Sequence, residues 1–315
     1  MLSKKDTQIL RELDKNSRLS NTQISKKVGL KKETVNYIIK KLEKEKIIGG
    51  YFSLINYFKL GSNLCKLLIR YENIGEKGET KIINWLSKKS EIIWIGKTEG
   101  KWDLIITIRD NDIEKVYSLL EKFNRSFSKN IKEKQLLIPY ELIWMNEKYF
   151  SEDKKDNYII RMKKTDQKEI IDKIDKKIIN IIETNSRTSL IELSSKIKLT
   201  AQAISKRIKN LTRKKIISGF KLRTNHEKLE KGYHHIFISL KDFSKIDEII
   251  SYYEESKHCV FIMKYHGNYD FHMELISESQ NDFRETIKDF REKFGDIISD
   301  YQHLTILEEL KLTTI

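Results

Sequence analysis

An internal repeat limits the folds available to this chain more than any other feature of its sequence. When residues 2–51 are aligned with residues 171–220, a shift of 169 residues, 17 of 50 positions are identical. The tripeptide Asn-Ser-Arg at 16–18 recurs at 185–187, and Lys-Ile-Ile at 46–48 recurs at 215–217. Self-similarity at a fixed spacing indicates a tandem duplication. We therefore expect two copies of a unit of roughly 150 residues, an ordinary domain size.

The net charge of +15 is confined to the repeated segments. Residues 1–50 contain 13 Lys and Arg against 6 Asp and Glu, and residues 171–220 contain 12 against 4. The remaining 215 residues contain 36 of each sign. Two compact basic units separated by neutral ones are typical of modules that bind a polyanion such as nucleic acid.

Each basic unit is predicted to form three short helices. Apolar spacing indicates helices over about 4–15 and 32–46, and Ser20 with Gln23 has the spacing of a capping box that opens a helix between them. That helix is expected to end at Gly29, and Lys198 occupies the same turn position in the second copy. Two helices joined by a tight turn form a helix-turn-helix, and the strand-like residues 47–52 are suited to a wing.

The third helix of each unit carries the residues expected to contact DNA. Lysine-rich helix faces are often simply solvated, but the turn, the duplication and the concentration of charge favour a recognition helix here. Polar side chains near its N-terminus can reach base edges, and its lysines can reach phosphates. The DNA-binding candidates are Lys31, Lys32, Thr34, Asn36, Tyr37 and Lys40 in the first copy, and Thr200, Gln202, Ser205, Lys206 and Lys209 in the second.

The neutral units have the strand and helix order β-α-β-β-α-β, which is typical of a split ferredoxin-like sandwich. In the first copy strands are predicted at 64–71, 91–97, 102–109 and 133–139, with helices at 79–88 and 112–124; in the second copy strands are predicted at 235–241, 258–265, 269–275 and 298–307, with helices at 245–255 and 279–294. Helices cover one face of such a sheet. The other face, with Leu67, Trp94, Ile95 and Ile105 as candidates, requires a partner sheet, which the second copy can supply.

These motifs resemble the leucine-responsive regulator/AsnC (feast/famine) family of prokaryotic transcription regulators. The resemblance rests on residues 17–51, their echo at 186–220, and the turns GKWD at 100–103 and GNYD at 267–270. It implies an α+β chain with winged helix-turn-helix domains at 1–52 and 169–221, ferredoxin-like RAM-type domains at 53–146 and 222–315, and a linker at 147–168. It further implies double-stranded DNA as partner and self-association through the sheet domains, either within one chain or between two.

The resemblance also implies an amino-acid effector in a cleft near the two turns, with Gly100, Asp103, Gly267 and Asp270 as candidate contacts. The alternative, which the sequence favours because it shows no cleft, is that these residues only shape β-hairpins. Apart from such an effector, no cofactor is expected. Without a signal peptide or an apolar run of about 18 residues, we expect a cytoplasmic protein with no membrane partner.

All seven histidines lie in the second neutral unit. They are His226, His234, His235, His258, His266, His272 and His303. Several on neighbouring strands can in principle converge as metal ligands or acid–base groups. However, no metal-binding spacing such as H-x-x-H is present, and strand neighbours point to opposite faces. The sequence therefore predicts no metal site and no catalytic residues.

Two other functions compete with that of a sequence-specific regulator. One is a siroheme decarboxylase, since proteins of that class resemble this chain in their two-unit architecture and have a degenerate helix-turn-helix. The histidines of the second half and Tyr265 give this alternative some support. Residues 47–52 lack the arginines that suit a tetrapyrrole carboxylate, and both recognition helices remain basic, which favours DNA. The third possibility is a binder that uses charge alone, without reading sequence.

Overall fold

The computed structural model describes residues 2–151 and 157–312. The helices are α1 (Lys4–Lys15), α2 (Asn21–Val28), α3 (Lys32–Lys44), α4 (Glu76–Ser87), α5 (Ile113–Phe127), α6 (Lys173–Thr184), α7 (Leu190–Ile197), α8 (Ala201–Arg213), α9 (Ile246–Glu255) and α10 (Gln280–Phe294). The strands are β1 (Ile48–Ile55), β2 (Asn63–Tyr71), β3 (Ile92–Gly100), β4 (Leu104–Asp110), β5 (Ile131–Met145), β6 (Ile159–Lys163), β7 (Ile217–Thr224), β8 (Gly232–Leu240), β9 (Cys259–His266), β10 (Phe271–Ser277) and β11 (Ile298–Leu312). The α+β fold predicted from the sequence is confirmed.

The predicted helix-turn-helix elements form in both copies. Ser20 and Gln23 make the reciprocal capping-box bonds at the start of α2, which satisfy free N–H groups of the first turn. Gly29 ends that helix in the left-handed conformation, at φ 68°. Lys198 adopts the same conformation after α7, at φ 61°. The turn is therefore retained in the second copy although its residue is not glycine.

The strand expected as a wing pairs with its counterpart from the other copy. β1 and β7 form a two-stranded antiparallel sheet, in which Tyr51 lies opposite Leu222 and Phe52 opposite Lys221. Hence the two helix-turn-helix units associate through backbone hydrogen bonds. The domain boundaries expected at 52/53 and 221/222 fall inside these two strands.

The sheet domains of the two copies close on each other within one chain. Neighbouring strands follow the order β2-β4-β3-β11-β8-β10-β9-β5, and β5 also pairs with β2, which closes the ring. The two 15-residue strands make the junctions: β5 begins on β2 and continues along β9, and β11 begins on β8 and continues along β3. The pairing of the copies, which the sequence left open, is intramolecular in this structure.

The interior of this closed sheet is a core shared by both copies, with Trp94 and Ile105 packed near Phe237 and Tyr265. The sequence interpretation was wrong for Leu67 and Ile95, which belong instead to the core under α4 and α5. Trp94 and Ile95 are consecutive in one strand, so alternation requires them to face opposite sides.

The segment interpreted as a linker is partly a strand. Residues 152–156 lie outside the described residues, but β6 pairs with the C-terminal half of β5. Its Ile160 and Met162 are buried while Arg161 is exposed, the alternation of a half-buried strand. The prediction of a linker over residues 147–168 was therefore wrong for 159–163, where the periodic run is only five residues long.

Candidate nucleic-acid interface and interior site

The polar faces of α3 and α8 are open to solvent in both copies. Tyr37 is 69% exposed and is among the most exposed large apolar side chains described. The exposed candidates are Lys31, Lys32, Asn36, Tyr37, Lys40, Thr200, Gln202, Lys206 and Lys209, and the half-buried ones are Thr34 and Ser205. Two surfaces of the expected chemistry are thus present, one on each unit.

The N-termini of the two recognition helices are built differently. The Thr200 hydroxyl accepts a hydrogen bond from the Ala203 amide at 3.2 Å, whereas Lys31 makes no side-chain cap on α3. In the first copy the Asn36 side-chain oxygen accepts from the Asn21 side chain at 3.2 Å, which joins α3 to α2. Thr200 therefore acts as a cap as well as a DNA-contact candidate, and Asn36 is held against the neighbouring helix.

The repeated Asn-Ser-Arg tripeptides meet at the pseudo-twofold junction between the two helix-turn-helix units. The hydroxyls of Ser17 and Ser186 lie 2.5 Å apart, and both serines are fully buried. Arg18 donates to the Ser186 carbonyl at 2.6 Å, and Arg187 donates to the Ser17 carbonyl at 2.8 Å. We call these four residues the serine–arginine clamp.

Backbone and ring contacts complete the clamp with the same symmetry. The Ser17 amide donates to the Phe220 carbonyl at 3.0 Å, and the Ser186 amide donates to the Tyr51 carbonyl at 3.1 Å. Each guanidinium also lies over the aromatic ring of the strand it reaches, Arg18 over Phe220 and Arg187 over Tyr51. Burial, and the charge of the other arginine, lower the pKa of Arg18. The clamp fixes one recognition unit relative to the other.

The two Gly-x-x-Asp turns occupy equivalent places in the closed sheet. The Asp103 carboxylate accepts from the Tyr71 amide, and the Asp270 carboxylate accepts from the Leu240 amide, both at 2.7 Å. Gly100 and Gly267 have φ of 139° and 148°, in the region that favours glycine. These contacts account for the residues structurally, and their role in binding an effector stays a prediction.

A cavity of about 110 Å³ lies between the sheet interior and the β1–β7 pair, and the four turn residues are not among its lining residues. It is walled by Phe52, Trp94 and Trp144, and it contains side chains of both charges. The charged groups of its lining are Lys66, Glu147, Lys221, Arg223, Glu274 and Glu309. β7 thus contributes both to this cavity and to the junction between the recognition units.

Two of the seven histidines converge beside this cavity. His235 and His272 are fully buried, and a ring nitrogen of each and a Glu274 carboxylate oxygen lie within 4.8 Å of one another. Because successive side chains of a strand point to opposite faces, His234 lies on the other face of the sheet from His235. There its Nδ1 is 3.0 Å from His303 Nε2, within hydrogen-bond distance. Sequence spacing missed the convergence because the three side chains come from two different strands. The sequence did offer one signal for this site, which is a polar residue within an otherwise apolar strand. His235 is such a residue, and so is Lys66, which lies at the equivalent position of the first copy.

Burial governs the protonation of this interior group. It lowers the pKa of both His235 and His272 well below the usual value, with nearby Lys66 acting in the same direction. Burial also lowers the pKa of Lys66 to about 8. The imidazoles are therefore neutral at physiological pH, with ring nitrogens able to accept.

The fold and the paired recognition helices define a DNA-binding protein of the helix-turn-helix class. Residues 2–48 match the family model for winged helix-turn-helix DNA-binding domains, and residues 171–212 match the AsnC-type helix-turn-helix domain. An uncharacterized HTH-type transcriptional regulator of Pyrococcus furiosus is 33% identical over 127 residues, which are 40% of this chain and 82% of that protein. The HTH-type transcriptional regulator Ptr1 of Methanocaldococcus jannaschii is 32% identical over 120 residues, 38% of this chain and 80% of that protein.

The chain belongs to the AsnC/Lrp family of HTH-type transcriptional regulators, and it is a DNA-binding regulator. The crystal structure of the siroheme decarboxylase NirDL shares its fold, with a TM-score of 0.64 and 12% identity, over 99% of this chain and 93% of that one. The two-unit architecture is therefore found in an enzyme as well. Within residues 2–151 and 157–312, no helix has the length and apolar character needed to span a bilayer.

Proposed function

We propose that this regulator binds DNA sequence-specifically and that its two halves read different half-sites. The observation that carries the proposal is the difference between the exposed faces of α3 and α8. At equivalent repeat positions Glu33, Asn36 and Tyr37 in the first copy become Gln202, Ser205 and Lys206 in the second. A symmetric dimer presents two identical helices and selects two-fold symmetric sites, whereas this chain presents two different ones.

The residue types favour different bases in each half. Gln202 is exposed in the first turn of α8, and a glutamine amide can pair in two places with the edge of adenine. Lys206, one turn further along, is suited to guanine or phosphate, where Tyr37 presents a ring and a hydroxyl. Lys40 and Lys209 occupy the same repeat position in both copies and are assigned to phosphate contacts.

The serine–arginine clamp supports reading by both helices at once. Because it joins the units through buried hydroxyls and reciprocal arginine bonds, the two helices are presented at one fixed spacing. Such preorganisation lowers the entropy lost when both helices dock.

Selection from a random-sequence DNA library tests this proposal. The natural chain should select an imperfect palindrome, and Gln202→Ala should relax base preference in one half-site only, by about 1–3 kcal/mol. Lys209→Ala is the control, because loss of a phosphate contact should weaken all sequences alike. A perfectly symmetric consensus, or the same consensus for Gln202→Ala, contradicts asymmetric reading. Binding with no sequence preference supports the charge-only alternative.

An amino-acid effector belongs to this proposal as its regulatory component. The turn carboxylates of Asp103 and Asp270 already accept backbone amides, so an effector ammonium would compete with those bonds. Titration of a DNA complex with individual amino acids tests the component, and Asp270→Asn should weaken the response of any that act there.

A second candidate function is a siroheme decarboxylase-like enzyme, and it is supported by the shared fold of NirDL and by the buried histidines. The cavity of about 110 Å³ opposes it in this conformation, because ligands of drug size need about 300–1,000 Å³. Titration with siroheme tests it: a saturable visible spectrum that His272→Gln abolishes supports the enzyme, and an unchanged spectrum of free siroheme rejects it.

A further inference from the structure

We propose that His235, His272 and Glu274 bind one divalent transition-metal ion of the zinc type in the second sheet domain. The site lies inside the closed sheet, away from the recognition helices. It therefore goes beyond DNA reading, and either property can fail without the other.

The separations of the donor atoms match the geometry of such a site. His272 Nε2 lies 3.1 Å from Glu274 Oε1, and His235 Nε2 lies 3.4 Å from the same oxygen. Zinc bonds to nitrogen and oxygen are about 2.0–2.1 Å long, so the edge of a tetrahedral site is about 3.3–3.4 Å. Two edges of the donor triangle are thus already close to the required length.

The ring nitrogens of His235 are unsatisfied among the described residues. Its side chain is fully buried, and neither Nδ1 nor Nε2 has a hydrogen-bond partner there. Buried polar atoms are normally satisfied, and leaving one unpaired costs about 1–3 kcal/mol. The ring is held in place by stacking on Trp94, with centroids 5.7 Å apart and planes 10° from parallel. A metal ion at Nε2 would satisfy the nitrogen that faces Glu274.

His272 and Glu274 each have a hydrogen bond to the atom that faces away from the proposed metal, as metal ligands usually do. The Tyr265 hydroxyl lies 2.6 Å from His272 Nδ1, which leaves Nε2 to face the site. The Tyr233 hydroxyl donates to Glu274 Oε2, which leaves Oε1 to face the histidines. Such bonds orient ligating imidazoles and carboxylates and raise their basicity.

The ammonium group of Lys66 lies next to the proposed metal position and should oppose binding of a cation there. Its Nζ lies 3.4 Å from His272 Nε2, and its side chain is buried. A bound dication would be repelled by an ammonium so near, so removing that charge should tighten metal binding. Lys66, Glu274 and Tyr233 all line the cavity, which supplies a route for the ion and space for further ligands such as water.

The donor set selects the class of ion. Two neutral imidazoles and one carboxylate suit Zn²⁺, Co²⁺, Ni²⁺ or Cu²⁺, whereas Mg²⁺ and Ca²⁺ prefer oxygen ligands only. Equivalent residues in the first copy are Lys66, Ile105 and Thr107, which provide no such set. One ion per chain is therefore expected.

Titration of the chelator-treated full chain with Co²⁺ tests the proposal, because its visible absorption reports coordination by nitrogen and oxygen. The natural chain should bind one equivalent and release it to Zn²⁺. Glu274→Gln and His235→Gln should weaken binding by more than about 100-fold, and Tyr233→Phe by about tenfold, the scale of losses from outer partners. Lys66→Met should tighten binding by at least about tenfold.

His303→Gln is the matched control, since it removes a histidine from the other face of the same sheet and should leave Co²⁺ binding unchanged. Circular dichroism of each metal-free variant identifies misfolding, and a gain of affinity in Lys66→Met is a result that misfolding does not produce. The proposal is overturned if the natural chain binds no stoichiometric Co²⁺, including the case in which only Lys66→Met binds it. Binding that survives Glu274→Gln and His235→Gln, or that is lost in His303→Gln, also overturns it.

Discussion

The serine–arginine clamp should determine how firmly the two recognition units hold together. In Arg18→Ala the bonds from its guanidinium to the Ser186 carbonyl at 2.6 Å and to the Thr188 carbonyl at 3.3 Å are lost, along with its contact with the Phe220 ring. Hydrogen bonds to charged groups contribute about 1.5–3 kcal/mol each, with the shorter bond dominant here. Relief of repulsion from Arg187 offsets part of the loss. We expect the opening free energy of the β1–β7 pair to fall by about 1.5–3 kcal/mol.

Native-state hydrogen exchange measures this effect at the amides that define the junction. The amides of Ser17 and Ser186, which donate to the opposite strand, should exchange about 10- to 100-fold faster in Arg18→Ala, since each 1.4 kcal/mol is a factor of ten. The Ile238 amide in the closed sheet should exchange as before. The exposed Lys26→Ala variant removes the same charge from the same unit and should change neither rate.

The double variant sharpens the test. If the two arginines repel each other, each single change relieves the same repulsion, so Arg18→Ala with Arg187→Ala should cost more than the sum of the two, by up to about 1 kcal/mol. Unchanged exchange of Ser17 and Ser186 in Arg18→Ala refutes the clamp. A double variant less costly than the sum refutes the assigned repulsion.

Four further outcomes are expected. DNA affinity should fall steeply with salt, with a log–log slope of about −5 to −9 for roughly 6–10 phosphate contacts, and a flat titration contradicts phosphate binding by the basic units. Lys198→Gly should stabilise the second recognition unit by about 0.5–1 kcal/mol in denaturant unfolding, because the lysine has φ 61°, while Gly29→Ala should destabilise the first by about 1 kcal/mol. Met162→Ala should cost about 2–5 kcal/mol, because this strand residue is 2% exposed, and a loss below 0.5 kcal/mol would show that β6 is dispensable. Burial lowers the pKa of His303, so on acidification the unfolded chain binds a proton at this histidine before the folded chain does, and the free energy of unfolding should fall below about pH 6.5. His303→Gln should make the free energy of unfolding less dependent on pH in this range. An unchanged pH dependence in the variant contradicts the assignment to His303.

The sequence alone determined the repeat, the helix-turn-helix units and the α+β class, because these depend on local signals. The Ser20 cap, the Gly29 turn and the apolar spacing of α3 act within a few residues of one another, and the duplication repeats them. The charge of residues 1–50 and 171–220 also pointed to DNA without knowledge of the tertiary structure. Electrostatic attraction to a polyanion depends mainly on how much charge is concentrated in a segment.

Only the tertiary structure decided which copy each strand pairs with and which histidines meet. β1 and β7 are distant in sequence, and their pairing gave Asn-Ser-Arg its role at the junction, where identical residues from the two copies contact each other. His235 and Glu274 meet because β8 and β10 are adjacent and place them directly opposite, although 38 residues separate them in sequence. Sequence spacing reports contacts along one helix or strand, whereas the register between strands depends on the packing of the whole closed sheet.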